Sequence, residues 1–121
     1  MPVWVEPPAV YSEAQAQTIL RLCWYAEKYG MAEDQRAEFM RVAWRESNFL
    51  PVENWLGCVG VFQWCVGGVF QVTPAFAYLG YDGRWRPEHD IGMAAWAFTH
   101  GYKSHWQPGL RVNWLRRVPA C

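Results

Sequence analysis

Apolar residues recur every three or four positions through the first half of this chain. That period restricts it to amphipathic helices packed on one another. Ile19, Leu22, Cys23 and Ala26 form one stripe. Phe39, Val42 and Ala43 begin a second, and the next residue along that face is Glu46. A carboxylate on the buried face of a helix loses water, which favours its neutral form. If Pro51 marks the stop, Glu46 also stands near the helix C-terminus, where the macrodipole opposes a negative charge. Both effects raise its pKa. A carboxylic acid that keeps its proton near neutral pH is what protonation of a departing glycosidic oxygen requires.

The helix boundaries carry their own signals. Ser12 followed by Gln15 makes a capping box that opens the first helix, and Gly30 can close it. The second helix begins near Ala32, with Glu33 and Asp34 in its first turn, where the dipole favours acids. From Asn54 to Val72, Gly57, Gly60, Gly67 and Gly68 alternate with Val, Phe, Cys and Trp, which predicts a short hairpin or irregular β excursion. This stretch holds a near-repeat, Cys58-Val59-Gly60-Val61-Phe62-Gln63 and then Cys65-Val66-Gly67-Gly68-Val69-Phe70-Gln71. Thr73-Pro74 suits the start of a short helix ending near Leu79-Gly80. Asp82-Gly83 marks a turn. A fourth helix is expected from Asp90, with stripe Ile91, Ala94, Ala95 and Phe98 and Gly101 at its end, followed by a helical turn before Pro108. The expected fold is mainly α, an α+β arrangement in which a helical domain carries a small β-hairpin after the Glu46 helix. It forms one domain over 1–121, with an extended arm at 1–11 and a basic tail at 109–121.

Eleven basic and eleven acidic residues leave no net charge, which argues against a nucleic-acid partner. Arg111, Arg116 and Arg117 concentrate positive charge in the tail. Nine Trp exceed the needs of a core this size, so they line either a sugar-binding groove or an unusually Trp-rich interior. No run reaches the roughly 18 apolar residues of a membrane span, so stable membrane insertion is not expected. Met1 to Pro8 lacks the basic and apolar regions of a signal peptide, and the expectation is a chain made in the cytoplasm as written, or one already trimmed. The spacing of Cys58 and Cys65 allows a bridge across the expected hairpin, whereas Cys23 reads as a buried thiol. The cysteines show no paired spacing with His89, His100 or His105, so neither a metal nor a cofactor is expected.

Glu46-Ser47-Asn48-Phe49, then Pro51, resembles the Glu-Ser-x-Phe-x-Pro signature of the soluble lytic transglycosylase and goose-type lysozyme group. Gly68-Val69-Phe70-Gln71-Val72-Thr73-Pro74 is similar to that group's Gly-Leu-Met-Gln-x-x-Pro segment. Ala77 to Gly80 resembles the Thr-Ala-x-x-Leu-Gly pattern that follows, and Pro87 to Ile91 its Asp-Pro-x-x-Asn-Ile, with Asp90 in place of Asn. Trp96 to Pro108 looks like the ending of small lysozyme-like domains. The resemblance covers roughly residues 36–108 in the family's order. It departs from the family pattern where Ala95-Trp96-Ala97 stands in place of Ala-Tyr-Asn, and in the spacing of its glutamines. Gln63 lies 17 residues past Glu46 and Gln71 lies 25 past it. The first copy of the repeat fits the family's spacing and the second its following sequence, with Gln71 favoured.

The resemblance implies a lysozyme-like fold and cleavage of the β-1,4 bond between N-acetylmuramic acid and N-acetylglucosamine, with Glu46 as the acid. It also implies substrate contacts from Ser47, Phe70, Gln71 or Gln63, and Thr73, with Tyr78, Tyr102 and Trp106 as further groove residues. Ser47 has a bland alternative in bonding its own helix backbone. Phe70, Tyr78, Tyr102 and Trp106 serve equally well as core. The candidates for a second carboxylate are Glu53, Asp82 and Asp90, of which Asp90 reads as a helix cap. Absence of a second acid suits the transglycosylase outcome, a 1,6-anhydro sugar; a positioned water gives the lysozyme outcome. The expected partner is peptidoglycan and the expected state a monomer. The setting is a phage endolysin or virion component, or a secreted bacterial enzyme. Two further readings remain open. One is a module on the same fold that grips wall glycan without cutting it. The other is a membrane-active tail built from Leu110, Val112, Trp114 and Leu115 with the three arginines.

Overall fold

A computed structural model describes residues 10–54, 57–65, 87–106, 118–119 and 121. Among these the protein is mainly helical, with three α-helices and almost no strand. Helix α1 spans Glu13–Lys28 and α2 spans Glu33–Ser47. A 3₁₀ turn at Pro87–His89 leads into α3, Asp90–Thr99, and a second 3₁₀ turn follows at Lys103–Trp106.

The capping box forms as its sequence predicts. Ser12 Oγ accepts from Gln15 N–H at 3.2 Å, and Gln15 Oε1 accepts from Ser12 N–H at 3.0 Å. Each bond satisfies a donor that a helix start otherwise leaves unpaired. Gly30, at φ +66°, turns the chain out of α1. Leu22 and Ala26 of its stripe are fully buried, with Ile19 and Cys23 packed at the margin of the core. On α2, Phe39, Val42 and Ala43 are fully buried, joined by Met40 and Trp44.

Helix α3 differs from its expected one-sided stripe, because every residue from Asp90 to Phe98 is buried. Such a helix is enclosed on all sides rather than laid on a surface. Its small residues permit this. A Cβ on Gly92 would lie 3.0 Å from the Tyr25 ring, so α1 packs directly onto the α3 backbone there. Gln35 Nε2 donates to the Phe98 carbonyl at 2.9 Å and ties α2 to the end of α3.

The predicted β element is represented among the described residues by two isolated antiparallel bridges, Glu53 with Val59 and Val59 with Trp64. Residues 66–72, the second half of that stretch, and the helix expected after Thr73-Pro74 lie outside the described residues. The loop instead sends apolar groups inward. Val61, Phe62 and Trp64 are buried, with Phe62 stacked on Phe39 at 4.9 Å and Trp64 edge-on to Trp106 at 5.5 Å. Four of the described Trp (Trp44, Trp64, Trp96 and Trp106) are core residues, and Trp24 is 57% exposed. Much of the Trp excess therefore serves packing.

Cys58 and Cys65 form a disulfide. Cys23 is not the buried thiol its stripe position suggests, since it is bonded to Cys121. The bond pins the end of the tail to α1, with Val118 packed against the core. It joins residues 98 apart, and closing so long a loop removes much of the unfolded chain's freedom. Cys121→Ser is expected to lower unfolding free energy by about 2–4 kcal/mol, read from the urea midpoint under non-reducing conditions. Among the described residues no helix is long and apolar enough to cross a membrane.

Candidate functional site

Glu46 occupies the last turn of α2, one residue before its end. Its side chain is 23% exposed, so it sits at the rim of the buried stripe and not within it. Burial raises its pKa above the ordinary carboxylate range, while the neighbouring Arg45 charge lowers it. Arg45 Nη1 lies 3.5 Å from Glu46 Oε1.

The backbone just past Glu46 is constrained. Asn48 and Phe49 both adopt left-handed conformations, at φ +53° and +61°. This costs about 1–2 kcal/mol for each non-glycine residue, and other bonds hold the turn. Asn48 N–H donates to the Trp44 carbonyl at 2.8 Å, and the Asn48 carbonyl accepts from Gln15 Nε2 at 3.0 Å. The Phe49 ring is fully buried, edge-on to Tyr11 at 5.7 Å and against Trp44 at 5.3 Å. The Glu-Ser-Asn-Phe motif is thus a rigid helix exit that carries its acid on the rim. Strain of this kind persists where surrounding contacts over-determine it, and it gathers at functional sites.

Ser47 is buried, and its Oγ donates to the Ala43 carbonyl at 3.2 Å, the local backbone role. Gln63, at φ +53°, uses its side-chain amide to join the carbonyls of Val52 and Gly60, each at 2.8 Å. It thereby ties the 57–65 loop to the segment leaving the Glu46 turn. Trp106 is a core residue whose Nε1 donates to the Phe62 carbonyl at 3.1 Å. Tyr102 is half-buried, stacked on Trp96 at 5.7 Å. Phe70, Gln71, Thr73, Tyr78 and Asp82 lie outside the described residues.

Asp90 is the group whose role the sequence concealed. It does not cap α3. It is the first helical residue, and its carboxylate reaches across to the 57–65 loop. Oδ2 accepts from Val61 N–H at 2.6 Å, and Oδ1 accepts from Phe62 N–H at 3.3 Å and Trp64 Nε1 at 2.9 Å. The residue is 2% exposed. Burial pushes its pKa up to about 6, against the opposing pull of these three donors. A carboxylate so enclosed cannot flank a substrate, whereas Glu53 is exposed. The one sequence signal for this arrangement was Gly60. A Cβ there would lie 2.6 Å from Asp90 Oδ2, and its φ is +89°. Only glycine admits both the conformation and the close approach. Gly60→Ala is expected to cost about 2–4 kcal/mol, measured by chemical denaturation.

Among the described residues no group of three or more His, Cys, Asp or Glu side chains is placed to hold a metal ion. A hollow of about 160 Å³ beside the end of the motif is lined by Ala14, Gln17, Thr18, Arg21 and Pro51, and not by Glu46. Compared with known proteins, the chain matches no family model, no curated protein and no solved structure.

Proposed function

We propose that this protein is a peptidoglycan-degrading muramidase of the lysozyme-like type, with Glu46 as general acid and then general base at the bond between N-acetylmuramic acid and N-acetylglucosamine. The observation that carries this reading is a rim-placed glutamic acid, its pKa raised by burial, held by a strained turn. The protonated acid delivers its proton to the bridging oxygen as the C1–O bond breaks. The resulting carboxylate removes the proton from the muramyl 6-hydroxyl, whose oxygen closes on C1 to give the 1,6-anhydro sugar.

The transglycosylase route is favoured over hydrolysis because, among the described candidates for a second carboxylate, Asp90 is committed to other partners and cannot flank the same bond. Glu53 is exposed and Asp90 is enclosed by its three donors. Pairing of all four cysteines suits action in an oxidising compartment such as the outer side of a bacterial membrane. Mass spectrometry of the fragments released from purified cell walls tests the reading. Anhydro-muramyl ends are expected, hydrated ends would replace the transglycosylase route by the lysozyme one, and no fragments would end the enzymatic reading.

One observation favours a second reading, a module that grips wall glycan without cutting. The Arg45 guanidinium beside Glu46 stabilises the ionised carboxylate, the wrong form for an acid. Tight binding of cell walls with no product would establish it.

A further inference from the structure

The far end of α2 offers a second surface with a different chemistry. Arg36 stands in the first turns of α2, ten residues before Glu46, or about 15 Å along the helix axis. Its side chain is half-buried and has no hydrogen bond or ion pair among the described residues. It lines a hollow of about 450 Å³ together with Leu20, Trp24, Glu27 and the Cys23–Cys121 pair. That volume lies within the roughly 300–1,000 Å³ of small-molecule sites.

Three features of this hollow point to one ligand class. Trp24 is 57% exposed although it is the largest side chain on α1, and Leu20 one turn earlier is 70% exposed. The indole is held in place, with the Lys28 ammonium over its ring at 5.1 Å and Tyr25 edge-on at 4.8 Å. Beside it stand a guanidinium with its donors unused and the Glu27 carboxylate, which likewise has no side-chain partner among the described residues. A sugar ring needs this combination: a flat apolar surface for its C–H face, and a planar donor and a planar acceptor for its hydroxyls and acetamide. Arg36 and Glu27 place a donor and an acceptor of opposed charge in the lining, with the Lys28 ammonium over one face of the indole, so a ligand there meets both donors and an acceptor. The disulfide between Cys23 and Cys121 forms part of the wall and fixes its shape.

We infer that the hollow between Trp24 and Arg36 is a second glycan-binding site, taking an N-acetylhexosamine unit at a distance from Glu46. It deepens the muramidase reading by giving the protein a second hold on the same polymer. A second grip on the strand raises the local concentration of glycan at the acid.

Titration of the full-length, disulfide-intact protein with a soluble N-acetylglucosamine oligomer, followed by NMR, tests it. The Trp24 indole N–H, assigned by its loss in Trp24→Phe, is expected to shift. Trp24→Ala and Arg36→Ala are expected to weaken binding to purified cell walls by on the order of tenfold each, as loss of an anchoring Trp or Arg does. An unmoved Trp24 resonance, or wall binding by both alanine variants equal to wild type, overturns the inference. Lysis that persists in such a case leaves the muramidase reading standing, whereas oligomer binding at Trp24 without any lysis overturns that reading and leaves this one intact.

Discussion

Glu46→Gln is expected to lower the release of soluble fragments from cell walls by about 10²–10⁴-fold, the usual contribution of a positioned acid–base group. Glutamine keeps the shape of the side chain and removes its titrating proton. The sole charged contact of Glu46 among the described residues is Arg45 at 3.5 Å, so little structure is lost. The urea midpoint should accordingly stay near that of the wild type. The same group sets the alkaline side of the pH profile. The reaction begins with the protonated acid, so the rate falls as pH rises through the Glu46 pKa, which burial places above the ordinary carboxylate range. Removing the opposing charge with Arg45→Ala should move that limb to higher pH. Undiminished lysis by Glu46→Gln would remove the acid from the mechanism altogether.

The second large effect is on stability. Asp90→Ala is expected to cost about 3–5 kcal/mol, because three enclosed donors lose their acceptor together. Val61 N–H, Phe62 N–H and Trp64 Nε1 have no route to water without opening the loop. Against a typical total of about 5–15 kcal/mol, the loss brings the protein close to unfolding. Denaturation in urea at constant pH measures it. The same carboxyl gives stability a pH dependence with a definite sign. In the folded protein it keeps its proton up to about pH 6, whereas in the unfolded chain it ionises near 3.8. Between those values the folded state binds more protons, so stability is highest at the acid end and falls as pH rises towards 6. Glu46, also raised, contributes with the same sign. Asp90→Asn should reduce this decline. A wild-type stability that instead climbs over the interval, relative to Asp90→Asn, would mean that the donors outweigh the cost of burial.

The two predictions rest on residues of different legibility. Glu46 could be read from its place on a period of apolar residues and from the motif around it, although its position at the rim could not. Asp90 looked like a helix cap, because acidic residues at helix starts commonly are caps. Its real partners lie 26 to 29 residues away in sequence. The partner of Cys23 is hidden for the same reason. Its stripe position indicated packing, but its bonded partner is 98 residues distant. Gln63 was a candidate for the substrate, and its amide nitrogen is engaged by the carbonyls of its own loop.

What the amino-acid order alone determined is local: the capping box at Ser12, the extents of α1 and α2, the turn at Gly30, and the half-apolar setting of one glutamate. These follow from propensity, period and end signals that act within a few residues of one another. Only the folded chain decided that α3 is enclosed on every side, that its first residue anchors a distant loop, and that the tail is pinned to α1. A buried polar group takes whichever partner the packing brings to it, and which segment arrives there is a property of the whole three-dimensional arrangement.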